Sequence, residues 1–185
     1  MNHIGTQKLE TNRLILRKFC LADAPAKFRN WANDQDVIKY LSWQPHANAT
    51  ATEEVLKGWI ESYQKPDFYN WAIVLKSIDE PIGVINALHV RDNIKMVHMG
   101  YCIGKAWWGQ GMAAEAFEEV IDFFFNKVGV NRIEARHDPS NQASAKVILK
   151  CGLIYEGTSR QADTSNQGIC DAANYAILAD DFFIK

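Results

Sequence analysis

Residues 104–116 read GKAWWGQGMAAEA, from Gly104 to Ala116. Two glycines, Gly109 and Gly111, let backbone approach a ligand without a Cβ in the way. The run from Met112 to Val128 that follows is the strongest helical pattern in the chain. Ala113, Ala116, Phe117, Val120, Ile121 and Phe124 recur at three- and four-residue intervals, with Glu115, Glu118, Glu119 and Asp122 opposite and Gly129 as the stop. A helix beginning at such a turn offers unpaired N–H groups and the positive end of its dipole. Chemically this is a pyrophosphate cradle of main chain, spanning Gly109, Gln110, Gly111, Met112, Ala113 and Ala114. It needs neither a metal nor a GK[ST] lysine. A plain turn that merely starts a helix reads the same way on spacing alone.

Outward from that stretch the hydrophobic period changes twice. Upstream, Tyr69 to Lys76, Pro81 to Val90 and Met96 to Ile103 alternate with period two and predict an antiparallel meander. Before them lie a strand over Arg13 to Phe19 and three helical segments. These run from Asp23 through Trp31, from Asp34 or Asp36 to Leu41, and onward from Thr52, with Val55, Trp59 and Ile60 on one face. Downstream the order is a strand over Arg132 to Arg136, a helix over Asn141 to Cys151 closed by Gly152, and strands over Leu153 to Glu156 and Asn174 to Ala179. Thr158 to Gln167 reads as a polar loop. A mixed sheet with helices on both faces accommodates this order.

The chain has 185 residues, 48% of them hydrophobic and 23% charged, which predicts one domain over 1–185 with a single sizeable core. Twenty Lys plus Arg against 22 Asp plus Glu leave a net charge of −2, which argues against a nucleic-acid binder. There is no signal-peptide pattern, and no apolar run approaches the roughly 20 residues a bilayer needs. The four cysteines show no CxxC pair, so free thiols in a reducing cytoplasm are expected, with no membrane partner and no metal.

Gly109 to Ala114 also satisfies G-x-G-x-x-A, the dinucleotide fingerprint, with Glu134 where a ribose-binding acid belongs. An NAD-binding oxidoreductase fits poorly. Lys105 to Trp108 separate the glycines from their strand, and only some 70 residues remain after Ala116, too few for the rest of a doubly wound domain.

Three blocks together resemble the GCN5-related N-acetyltransferases (GNAT), and within them the branch that acetylates ribosomal-protein N-termini. They are LETNRLILRKF, MGYCIGKAWWGQGMAAEA and NQASAKVILKCGLIYEG, in family order across nearly the whole chain. Gly111 and Ala113 match the family's Q/R-x-x-G-x-G/A pattern, and Trp108 stands where many members carry Gln or Arg. The resemblance implies an α/β (α+β) fold: a mixed, mostly antiparallel sheet with helices on both faces and a splayed central parallel strand pair, Met96 to Ile103 beside Arg132 to Arg136. Acetyl-CoA would enter that opening as co-substrate, its pantetheine along Cys102 and Ile103 with Asn141 near the arm and its pyrophosphate on the cradle. The acetyl group would pass directly to an amine on a protein N-terminus or a small molecule, and the family also brings a homodimer into view. Non-catalytic acyl-CoA binding is the alternative.

For the catalytic groups the resemblance is less direct. His98 occupies the place of the family's strand Glu and can act as a base, or can equally bond within the sheet. Asp163 lies 19 residues after Ser144, where the ribosomal branch has a carboxylate. Ile148 replaces the family's tyrosine, so Ser144 is the expected donor to the leaving thiolate; a Ser there can also satisfy local backbone. Asn141 is also a natural N-cap. Trp43 and His46 fall in the region that borders the family's acceptor site. Cys102 is read as structural rather than as a transferring thiol.

Overall fold

The computed structural model describes residues 1–184. Strands β1 (Leu9–Glu10), β2 (Leu14–Arg17), β3 (Asn70–Leu75), β4 (Glu80–Arg91), β5 (Met96–Ile103), β6 (Arg132–His137), β7 (Ile154–Ser165) and β8 (Gly168–Leu178) form one sheet in the order β1-β2-β3-β4-β5-β6-β8-β7. Neighbours are antiparallel throughout except β5 and β6. That parallel pair is joined through helix α4 (Met112–Phe123), the crossover a parallel connection requires.

Helices α1 (Ala24–Lys27), α2 (Gln35–Ile38) and α3 (Ala49–Ser62) precede the meander. They cover one face over a cluster of Phe19, Trp31, Leu56, Ala72, Val74 and Cys102. On the other face α4 and α5 (Gln142–Lys150) bury the larger cluster, with Trp71, Phe117, Phe124 and Ile148 fully enclosed. A short α6 (Ala179–Phe183) ends the described chain. No helix among the described residues is long and apolar enough to cross a membrane, and all four cysteines are free thiols.

Several expected boundaries move, for local reasons. The third helix starts at Ala49 rather than Thr52, because the Asn48 side chain accepts from Ala51 N at 2.8 Å and caps it. Its buried face is Thr52 and Leu56, with Val55, Trp59 and Ile60 half-buried. The strong helix is α-helical to Phe123 and continues as a wider turn to Val128, where Gly129 ends it at φ 72°. Thr158 to Gln167 is not a loop: it forms most of β7 and the tip of a long β7–β8 hairpin. That edge strand is solvated on both sides, so its residues carry no apolar alternation to read.

Candidate active site

β5 and β6 pair from Met96↔Arg132 to Met99↔Ala135 and then separate. From Gly100 to Ile103 β5 therefore runs without β6 beside it, along an opening in the middle of the sheet; the Cys102 carbonyl on this stretch faces Gly83 of β4. The Ile103 carbonyl accepts from the Trp108 indole N–H at 2.8 Å, which leaves that ring 46% exposed at the entrance.

At the end of the opening the chain turns through Gly109 (φ 71°) and Gly111 (φ 78°), both in the left-handed region glycine enters freely. Gly111 is the N-cap of α4 and no side chain caps the helix, so the first-turn N–H groups of Met112, Ala113 and Ala114 point outward with no acceptor of their own. A Cβ on Gly111 would lie 3.7 Å from both Arg13 Nη2 and Lys150 Nζ, so two cations converge on the helix mouth. Arg13 is fixed there. Its Nη1 donates to the Gln110 carbonyl at 3.0 Å and its Nε to Glu115 Oε2 at 2.7 Å. Glu115 in turn accepts from Thr11 Oγ1 and Arg13 N. Arg13 Nη2 also lies 2.6 Å from Glu115 Oε2, so Lys150 adds the second cation beside an ion pair; with glycine backbone and free N–H groups this fits a pyrophosphate.

Across the opening stands the first turn of α5. Asn141 caps it, its Oδ1 accepting from Ser144 N at 3.2 Å, and so holds Ser144 half-buried toward β5. The Ser144 hydroxyl meets the Tyr101 hydroxyl at 2.8 Å. The sequence reading passed over Tyr101, which lies 43 residues from its partner.

The family model described as an acetyltransferase (GNAT) domain matches residues 13–154. The chain belongs to the GNAT acetyltransferases. It is 27% identical over 176 residues to an uncharacterized N-acetyltransferase, p20, of Bacillus licheniformis, covering 95% of this chain and 98% of that one. It is 25% identical to the [ribosomal protein uS5]-alanine N-acetyltransferase of Escherichia coli, covering 86% of this chain and 84% of that one. A solved RimL ribosomal L7/L12 α-N-protein acetyltransferase in complex with coenzyme A superposes with a TM-score of 0.84 at 21% identity, over 95% of this chain and 99% of that one. The α/β fold with its parallel β5–β6 pair is that of these acetyltransferases.

On the face of this acetyltransferase covered by α1 to α3, the other expected residues gather in two groups. His98 is 8% exposed, with Nδ1 3.8 Å from Glu134 Oε2 and its ring 5.9 Å from that of His89. Burial and then the Arg136 charge lower its pKa below 6.5, against the opposing pull of Glu134. Asp163 lies on β7, its Oδ2 taken by Arg136 Nε at 2.8 Å and its Oδ1 by Thr164 N at 2.8 Å. Glu134, the ribose acid of the dinucleotide reading, is instead bound to Arg132 Nε at 2.7 Å and faces His98.

The second group is Trp43 and His46, with rings 5.4 Å apart in the loop between α2 and α3. His46 Nδ1 bonds Thr52 Oγ1 at 2.8 Å, and burial together with the Lys27 charge lowers its pKa. Lys27 is a further residue the sequence did not single out. Its side chain is 2% exposed, and its ammonium sits 4.3 Å from the Trp59 ring centroid, 5.8 Å from Trp43 and 5.9 Å from Trp31. Burial lowers its pKa to about 8. Burial also pushes the neighbouring Cys102 thiol up to about 12, which keeps it protonated and inert.

Proposed function

We propose that this acetyltransferase moves an acetyl group from acetyl-CoA directly to a primary amine, with a protein N-terminal α-amino group as the first acceptor to test. The observation that carries the reading is the parting of β5 from β6 beside a glycine-built helix mouth with two cations. Acetyl-CoA in that opening supplies a thioester carbon and a thiolate leaving group. The likeness to an enzyme named for alanine N-acetylation of a ribosomal protein supports the choice of acceptor.

The chain's own residues divide the remaining work. The backbone N–H groups from Gly109 to Ala114, with Arg13 and Lys150, hold the pyrophosphate, and the edge of Cys102 and Ile103 aligns the arm beside Asn141. His98 takes the proton that the acceptor ammonium must lose, directly or through one water. Its low pKa keeps it neutral at pH 7 and able to accept. Asp163 is the less available base, because Arg136 Nε and Thr164 N already occupy its two oxygens. Ser144 donates to the departing sulfur. Trp43 and His46 wall the acceptor.

The test is thermal unfolding with acetyl-CoA and, in parallel, NADH, followed by thiol release with a peptide beginning in alanine. A ligand at 100 times its dissociation constant adds about 2.7 kcal/mol, which raises the melting temperature by about 5 to 10 °C. A shift with acetyl-CoA and thiol release with the peptide support the proposal. A shift with NADH alone overturns it, and acetyl-CoA binding without thiol release for any amine assigns a binder instead of an enzyme.

A further inference from the structure

Tyr101 stands two residues beyond the last β5 residue paired with β6, on the face turned toward α4, its ring 5.6 Å from that of Phe117. Its hydroxyl oxygen lies 2.8 Å from Ser144 Oγ and 3.1 Å from the Ser144 carbonyl oxygen. This contact bridges the opening where the two strands have parted.

Counting protons restricts what the pair can do. Each hydroxyl has one proton and can also accept, whereas a carbonyl only accepts. When Tyr101 donates to the carbonyl, its own oxygen takes the serine proton, and Ser144 has nothing left to give. When Tyr101 turns its proton onto Ser144 Oγ, the serine proton is released to point into the opening. The two arrangements differ by two hydroxyl rotations and no movement of heavy atoms.

We propose that Tyr101 is the positioning residue that makes Ser144 a donor, holding Oγ from behind so that the serine proton faces the sulfur anion formed in the opening. This rests on the role given to Ser144 above. Burial raises the Tyr101 pKa well beyond its ordinary value, outweighing the bond to Ser144, so the phenol stays neutral and keeps the proton it donates.

The experiment is calorimetric binding of CoA and of acetyl-CoA at pH 7 and pH 9 to wild type, Y101F and S144A, with melting temperatures alongside. A free thiol ionises in this range and a thioester does not. Among neighbouring groups, the Cys151 thiol is pushed up to about 12 by burial, and His98 ionises below 6.5. Lys27, at about 8, and Cys102 lie on the opposite face of β5. Their effects act on both ligands and cancel in the ratio of the two affinities.

Wild type should favour CoA over acetyl-CoA by a factor that grows three- to tenfold from pH 7 to pH 9. S144A should abolish that growth, and Y101F should reduce it at least to half its logarithm. If Y101F keeps the full growth while S144A loses it, the inference falls and the Ser144 role stands. If S144A keeps it, or wild type shows none, the Ser144 role falls and the inference with it. Should Y101F fail to fold, labelled wild type decides. The Tyr101 Cζ resonance should move with CoA at pH 9 and stay put with acetyl-CoA, and equal movement with both refutes the proposal.

Discussion

Replacing Lys27 with methionine should stabilise the protein at neutral pH. Lys27 is 2% exposed, and among the described residues no carboxylate pairs with its ammonium. Burial moves its pKa from the ordinary 10.5 to about 8. Each tenfold change in proton affinity is worth about 1.4 kcal/mol, so keeping this charge buried costs about 3 kcal/mol at pH 7. Contact with the Trp59 ring at 4.3 Å returns up to about 2 kcal/mol of that. Methionine fills nearly the same volume without the charge, so Lys27→Met should gain about 1 to 3 kcal/mol, or roughly 3 to 10 °C in melting temperature.

The gain should depend on pH in a definite direction. Between the folded value near 8 and the unfolded value of 10.5, the unfolded chain binds more protons at this site, so wild-type stability rises with pH across that window. The Lys27→Met advantage is therefore full below pH 8 and fades toward pH 10.5. Urea unfolding of both proteins at pH 7, 8.5 and 10 measures it. An advantage that stays flat over that range, or a methionine variant less stable at pH 7, would refute the assignment of a buried, uncompensated charge.

Four further outcomes are expected. Gly111→Val should weaken acetyl-CoA binding at least tenfold by calorimetry, since φ 78° costs a branched residue about 1 to 2 kcal/mol and its side chain would crowd the helix mouth. His98→Gln should lower kcat by about 100-fold, and wild-type kcat/KM should fall on the acid side of pH 6.5, where the imidazole gains its proton. Ser144→Ala should lower turnover while leaving acetyl-CoA affinity within about twofold, as thiol release and calorimetry together would show. Glu115→Gln should cost about 1 to 3 kcal/mol in urea unfolding, because the bonds from Thr11 and Arg13 outweigh burial in lowering the Glu115 pKa below 4.5. That contribution is present above pH 4.5 and is lost as the pH falls through the depressed value.

The strand, glycine turn and helix cap around the opening were legible in the sequence because their signals are local. The bounds of β5, the cap at Asn141 and the left-handed turn at Gly111 each follow from residues within a few positions of one another. The face beneath α1 to α3 was much less so. Lys27 looks like a surface lysine on a short helix, and only Trp31, Trp43 and Trp59, drawn from three separate segments, make it a buried one. The β7 edge carries polar residues on both faces, so its sequence resembles a loop until β8 pairs with it. Tyr101 reads as one more aromatic of a meander strand, and its meaning comes from a helix turn 43 residues away.

The hairpin that the sequence concealed also sets the order in which this protein can be made. Asn166, at the tip between β7 and β8, donates from its side chain to the carbonyls of Ile38 at 3.0 Å and Trp43 at 2.8 Å, and from its backbone to Leu41. These bonds close loops of 128 and 123 residues. Contacts of such separation form late, because the entropy of closing the loop must be met before they return anything. The meander can therefore form before Asn166 adds its bonds to the segment from Ile38 to Trp43, which until then is held by local contacts such as His46 with Thr52. On the roles proposed above, the acceptor side of the site is complete only once the β7–β8 hairpin has docked.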